Sequence, residues 1–119
     1  MPVPRFQLVP GGRLVHRPED DGVGWRLLGP NNRELGRSTL SYADEAAALE
    51  AVAKVRRGAS TCGATIRFEA GSLCWSWQLE DEDGVVVAAS GRGFRLEAAC
   101  RRNLEQFRSC AATALGARG

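Results

Sequence analysis

The chain is written twice. "WSWQLEDEDGVVVAAS", Trp75 to Ser90, superposes on "VGWRLLGPNNRELGRS", Val23 to Ser38, at an offset of 52 residues and without a gap. Trp77 falls on Trp25, Leu79 on Leu27 and Ser90 on Ser38. The same offset carries Leu14 to Arg56 onto Ile66 to Arg108. It brings Tyr42 onto Phe94, Glu45-Ala46-Ala47 onto Glu97-Ala98-Ala99, Val52 onto Leu104 and Val55 onto Phe107. Identity is low. The shared order of apolar positions is what selects a fold, so a doubled pattern implies a doubled structural unit.

The unit can be read from periodicity. Leu73, Trp75, Trp77 and Leu79 alternate with polar or small residues, as do Val23, Trp25 and Leu27. A period of two gives a strand with one buried face. A turn follows, "EDEDG" in one copy and "GPNN" in the other, in which Gly84 aligns with Asn32. These residue types tolerate a positive φ, which a tight hairpin needs just before its return strand. Val85–Ala89 and Arg33–Arg37 form the return strands. Short strands around Leu14–His16 and Ile66–Phe68 open the two copies.

Each copy closes in a helix. Asp44 and Glu45 open "ADEAAALEAVAKV" and Lys54 and Arg56 end it, in keeping with the helix dipole. Leu96, Cys100, Leu104, Phe107 and Ala111 line one helical face in the second copy. The expected architecture is α+β: a tandem repeat of a βββα unit, two antiparallel meanders each with one helix, related by a pseudo-twofold axis. One unit alone would leave apolar sheet exposed, so both share one domain. The expected division is an N-terminal extension at 1–13, a first repeat at 14–57, a linker at 58–65, a second repeat at 66–111 and a frayed tail at 112–119. The expected core anchors are Trp25, Leu27, Tyr42, Val52 and Val55, and their counterparts Trp77, Leu79, Phe94, Leu104 and Phe107.

These features together resemble the YegP-like family: the aromatic strand, the turn, the strand ending in Ser, the aromatic at Tyr42 or Phe94, and the Ala-rich helix. The resemblance covers about residues 14–108. Asp83-Gly84 is similar to that family's Asn-Gly turn. Asn31-Asn32, the "GRG" before Phe94 and the long stretch Met1–Gly12 depart from it. The resemblance implies a compact tandem-repeat fold in a small bacterial protein of unknown function. It implies no catalytic residues.

The chemistry-bearing residues point away from an enzyme. His16 stands alone, and no Ser or Cys is tied to it by a nucleophile motif. Cys62, Cys74, Cys100 and Cys110 lack the close pairs of a zinc site, so neither a metal nor a cofactor is expected. The acidic run Glu80–Asp83 lacks the spacing of a calcium loop and reads as a solvated turn. "GRGF", Gly91 to Phe94, overlaps the start of an RNA-recognition motif, but Phe94 falls at a strand-to-helix junction instead of along a central strand. Near Met1 there is no apolar core of a secretory signal, and no apolar run is long enough to span a bilayer; the expectation is a cytoplasmic protein with free thiols.

Charge is the remaining signal. A formal net charge of +2 is too small to imply an anionic partner, and Lys54 is the only lysine among 16 basic residues. Arg95, Arg101, Arg102 and Arg108 nevertheless gather on or beside the second helix, as candidates for a phosphate grip. The expected function is therefore a non-enzymatic interaction or accessory domain. Its partner is a protein or a second copy of the chain through an exposed strand edge. One alternative is weak nucleic-acid binding by those arginines. Another is a small-molecule pocket between the repeats, lined by Trp25 and Trp77.

Overall fold

In a computed structural model, residues 3–10 and 22–116 are described. Six strands and two helices follow in the order β1 (Arg5–Pro10), β2 (Val23–Leu28), β3 (Glu34–Ser38), α1 (Glu45–Gly58), β4 (Gly63–Glu69), β5 (Cys74–Glu80), β6 (Val86–Ala89) and α2 (Glu97–Thr113). The strands form one antiparallel sheet, ordered β1-β2-β3-β6-β5-β4. That order reads alike from either edge, with the two halves joined at β3 and β6.

The hairpins agree bond for bond at the 52-residue offset. Arg26 pairs with Arg37 and Leu27 with Gly36 before a bulge shifts Leu28 onto Glu34. Gln78 pairs with Ala89 and Leu79 with Ala88 before the same shift puts Glu80 onto Val86. Both turns reach positive φ at the expected residue, 67° at Asn32 and 81° at Gly84. The serine that ends each return strand reaches back to the tryptophan strand: Trp25 N donates to Ser38 Oγ and Trp77 N to Ser90 Oγ. Val23 bridges Tyr42, and Trp75 bridges Phe94.

Both ends of the chain differ from expectation. The expected strand Leu14–His16, and His16 with it, lie outside the described residues. The strand that pairs with β2 is β1, inside the stretch read as an extension. Phe6 and Leu8, alternating around Gln7, present the apolar face a first strand needs. Leu8 stands opposite Trp25 and Ile66 opposite Trp77, so the first strands are 58 residues apart where the tryptophans are 52 apart. The C-terminal segment is not frayed as far as it is described. Ala114 is buried, Leu115 N donates to Pro4 O, and Phe6 N donates to Leu115 O, both at 3.0 Å. The tail bridges the start of β1 at Arg5, with Ala114 offering a last apolar contact.

One core serves both halves. Trp25, Leu27, Val52, Val55, Trp77, Leu79, Phe94, Leu104 and Phe107 are buried, and Tyr42 packs half-buried against them. Phe107 lies between the tryptophans, 6.2 Å from Trp25 and 4.9 Å from Trp77 between ring centroids. Gly36 admits this close approach. A Cβ there would lie 2.7 Å from Trp77 Cη2 and 2.8 Å from Phe107 Cδ2. The other sheet face carries a row of Gln7, Arg26, Arg37, Ala89, Gln78 and Thr65 across all six strands, polar everywhere but at Ala89.

Candidate functional site

The sites expected from sequence are rearranged by the fold. The pocket between Trp25 and Trp77 does not exist, because Phe107 fills the space and both tryptophans are at most 1% exposed. Phe94 is buried and its backbone bridges Trp75, so "GRGF" offers no open aromatic platform. Arg92 lies over the Phe94 ring, its Cζ 4.7 Å from the centroid.

The four candidate arginines do not act as one patch. Arg108 turns inward and donates from Nη1 to the carbonyls of Ala59 and Cys62, at 2.8 and 3.0 Å. It closes the loop after α1, where carbonyls lose their helical partners. Arg101 pairs with Glu97 one turn earlier, at 2.6 Å. Arg95 and Arg102 are exposed and hold no partner among the described residues.

The acidic turn serves the hairpin. Asp81 Oδ1 accepts from the backbone N–H groups of Asp83 and Val85. Among the described residues no group of three or more His, Cys, Asp or Glu is placed to hold a metal. Burial pushes the Cys62, Cys100 and Cys110 thiols above their ordinary value, away from the reactive thiolate. Burial does the same to the Tyr42 hydroxyl, against a smaller opposing effect of Trp25. Among the described residues no helix is long and apolar enough to cross a membrane.

What the fold leaves open is an edge. The tail bridges the start of β1 through Leu115, opposite Arg5, whereas no described segment pairs with the outer side of β4. β4, "GATIRFE", runs seven residues without proline, lysine or bulge, and all but Ile66 are exposed. Ala64, Ile66 and Phe68 point to the helix side, opposite Leu79, Trp77 and Trp75. Thr65, Arg67 and Glu69 point to the polar side. Phe68 is 48% exposed and its ring leans on Trp75 at 5.1 Å. Leu73, at a positive φ of 57° in the β4–β5 turn, is also exposed. Sequence reasoning anticipated an open edge without naming the strand, because the bridge to β1 depends on where α2 delivers the tail.

Comparisons place this architecture among solved structures. No protein-family model and no curated protein matches the sequence significantly. The solution NMR structure of a UPF0339 protein from Shewanella oneidensis superposes with a TM-score of 0.76 at 12% identity, over 98% of this chain and 92% of that one. The solution NMR structure of yegP from E. coli, a protein of unknown function, superposes with a TM-score of 0.74 at 12% identity, over 99% of this chain and 93% of that one. The chain therefore has the fold of the YegP-like proteins.

Proposed function

We propose that this chain is a YegP-like interaction domain, a tandem βββα repeat without enzymatic activity, that associates with a second copy of itself through the open edge of β4. The observation that supports this reading is the unequal treatment of the two edges: Leu115 bridges the start of β1, and no described segment pairs with β4. An unpaired row of N–H and C=O groups is a template for another strand, and proteins that avoid pairing blunt it. The unbridged cysteines fit a reducing, cytoplasmic setting.

The side chains of β4 suit self-pairing. In an antiparallel pair centred on Phe68, the two Phe68 rings face each other on the helix side. On the polar side Arg67 of each copy faces Glu69 of the other. Neither residue has a partner within the chain among the described residues. Opposite charges placed directly across a pair stabilise it, and like charges oppose it.

Sedimentation velocity over a concentration series tests this. The wild-type chain is expected to pass from monomer to dimer. Arg67→Glu sets like charges against each other twice and shifts the chain to monomer. Arg67→Glu/Glu69→Arg restores opposite pairs and with them the dimer. A wild-type chain that stays monomeric throughout, or a dimer indifferent to the charge swap, rules out this register.

A further inference from the structure

The junction of the two halves is lopsided. Arg37 pairs with Ala89 and Ser38 with Ala88. On one side the contact continues: Thr39 N donates to Val87 O, and Thr39 Oγ1 to Val86 O at 2.7 Å. On the other side the counterpart of Thr39 is Gly91, and the β3–β6 pairing stops. A Cβ on Gly91 would collide with Glu34 Oε2 and come within 3.2 Å of Arg37 Nε. No β3–β6 pairing continues there among the described residues, and a cleft of about 270 Å³ lies between Arg33, Glu34, Leu35, Arg92, Phe94 and Asn103.

The fold does not require this chemistry. At the opposite mouth of the junction the counterparts of Arg33, Glu34, Arg92 and Asn103 are Val85, Val86, Leu40 and Ala51. One side of a near-symmetric frame is apolar and the other carries charges and an amide.

The polar side is rich in free donors. Glu34 lines the cleft but is neutralised, accepting from Arg37 Nε at 2.9 Å and Nη2 at 2.7 Å, with Arg26 Nη1 at 3.8 Å. The guanidiniums of Arg33 and Arg92 make no hydrogen bond or ion pair among the described residues. Asn103 Oδ1 accepts from Trp77 Nε1, which leaves the Asn103 Nδ2 hydrogens as further donors. Two forked guanidiniums, that of Arg92 resting over the Phe94 ring, and an amide line one cleft beside a carboxylate already paired, and donors of this kind recognise a compact dianion.

We propose that this cleft binds the phosphoryl group of a small phosphate monoester, or phosphate itself, between Arg33 and Arg92, with Asn103 as a third donor. This proposal does not depend on how the chain self-associates.

The test is a ¹H–¹⁵N NMR titration with inorganic phosphate and with glycerol 3-phosphate, at constant ionic strength against a chloride reference. A saturable shift of the Trp77 Nε1–H resonance is expected, transmitted through Asn103, while the Trp25 indole stays in place. Arg33→Ala and Arg92→Ala are each expected to weaken binding about tenfold, the scale of one charged hydrogen bond. Arg102→Ala, on exposed helix surface, leaves it unchanged. Tighter binding of the ester assigns a phosphorylated metabolite, and equal binding assigns phosphate itself. Shifts that do not saturate, that chloride reproduces, or that persist at full affinity in both arginine variants overturn the proposal.

Discussion

At the scale of single residues, the two halves are alike in frame and unlike in fittings. Gly36 and Ala88 hold equivalent places opposite Leu27 and Leu79. Ala88 is accommodated, but a methyl group at Gly36 would press on Trp77 and Phe107. Phe107 explains the difference, since its counterpart Val55 is smaller and leaves room in the other half. Both rings that Gly36 faces are fully buried, so neither can swing away into solvent. Gly36→Ala is therefore expected to lower stability by about 1–3 kcal/mol, the usual cost of overpacking a filled core. Urea denaturation measures it, and an unchanged midpoint would show that the rings yield. A second difference concerns the indoles. Trp77 Nε1 has Asn103 as its acceptor, whereas buried Trp25 Nε1 has no well-formed hydrogen bond among the described residues and acts only weakly on the Tyr42 hydroxyl, its counterpart helix position being Ala51.

At the scale of elements, the helices show the same pattern of shared frame and unequal finish. Asp44 caps α1 by accepting from Ala47 N at 2.8 Å. At the equivalent place α2 begins with Leu96, in extended backbone geometry, 69% exposed and without a side-chain cap. Leu96→Asp supplies the missing acceptor at almost no cost in buried surface. It is expected to raise stability by about 1 kcal/mol, read as a higher thermal midpoint. A lower midpoint would mean that Leu96 is held by contacts beyond its own helix. The helices and the β2–β3 and β5–β6 hairpins were legible in the sequence because each spans adjacent residues with a clear period. β1 was not, since an offset of 52 points to Leu14–His16 while the pairing uses Phe6 and Leu8. The alternation in "RFQLVP" was a usable signal, and the greater number of residues between it and β2 broke the alignment that would have drawn attention to it. The cleft was illegible for a different reason. Arg33 and Arg92 meet only because β3 and β6 join the halves, and nothing local in either segment announces that junction.

At the scale of the molecule, the question is whether the two halves of the sheet with their helices make two folding units or one. The packing favours one. Phe107 comes from the second half yet lies against Trp25 of the first, and Gly36 of the first half abuts both Trp77 and Phe107. The polypeptide ties the halves at a second place as well, because the tail after α2 returns to pair with β1. Neither half can lose its structure without opening the core of the other, so unfolding is expected as a single transition in which far-ultraviolet circular dichroism and tryptophan fluorescence coincide. Phe107→Ala sharpens the test. Removing a fully buried ring from the centre of a shared core is expected to cost about 3–5 kcal/mol. The whole transition should move to lower denaturant and remain single. If the halves were independent, the same variant would split the curve, displacing the signal of Trp75 and Trp77 and leaving that of Trp25 behind. A split curve would mean that the central β3–β6 pairing and the Phe107 contacts join two domains that each carry a core of their own.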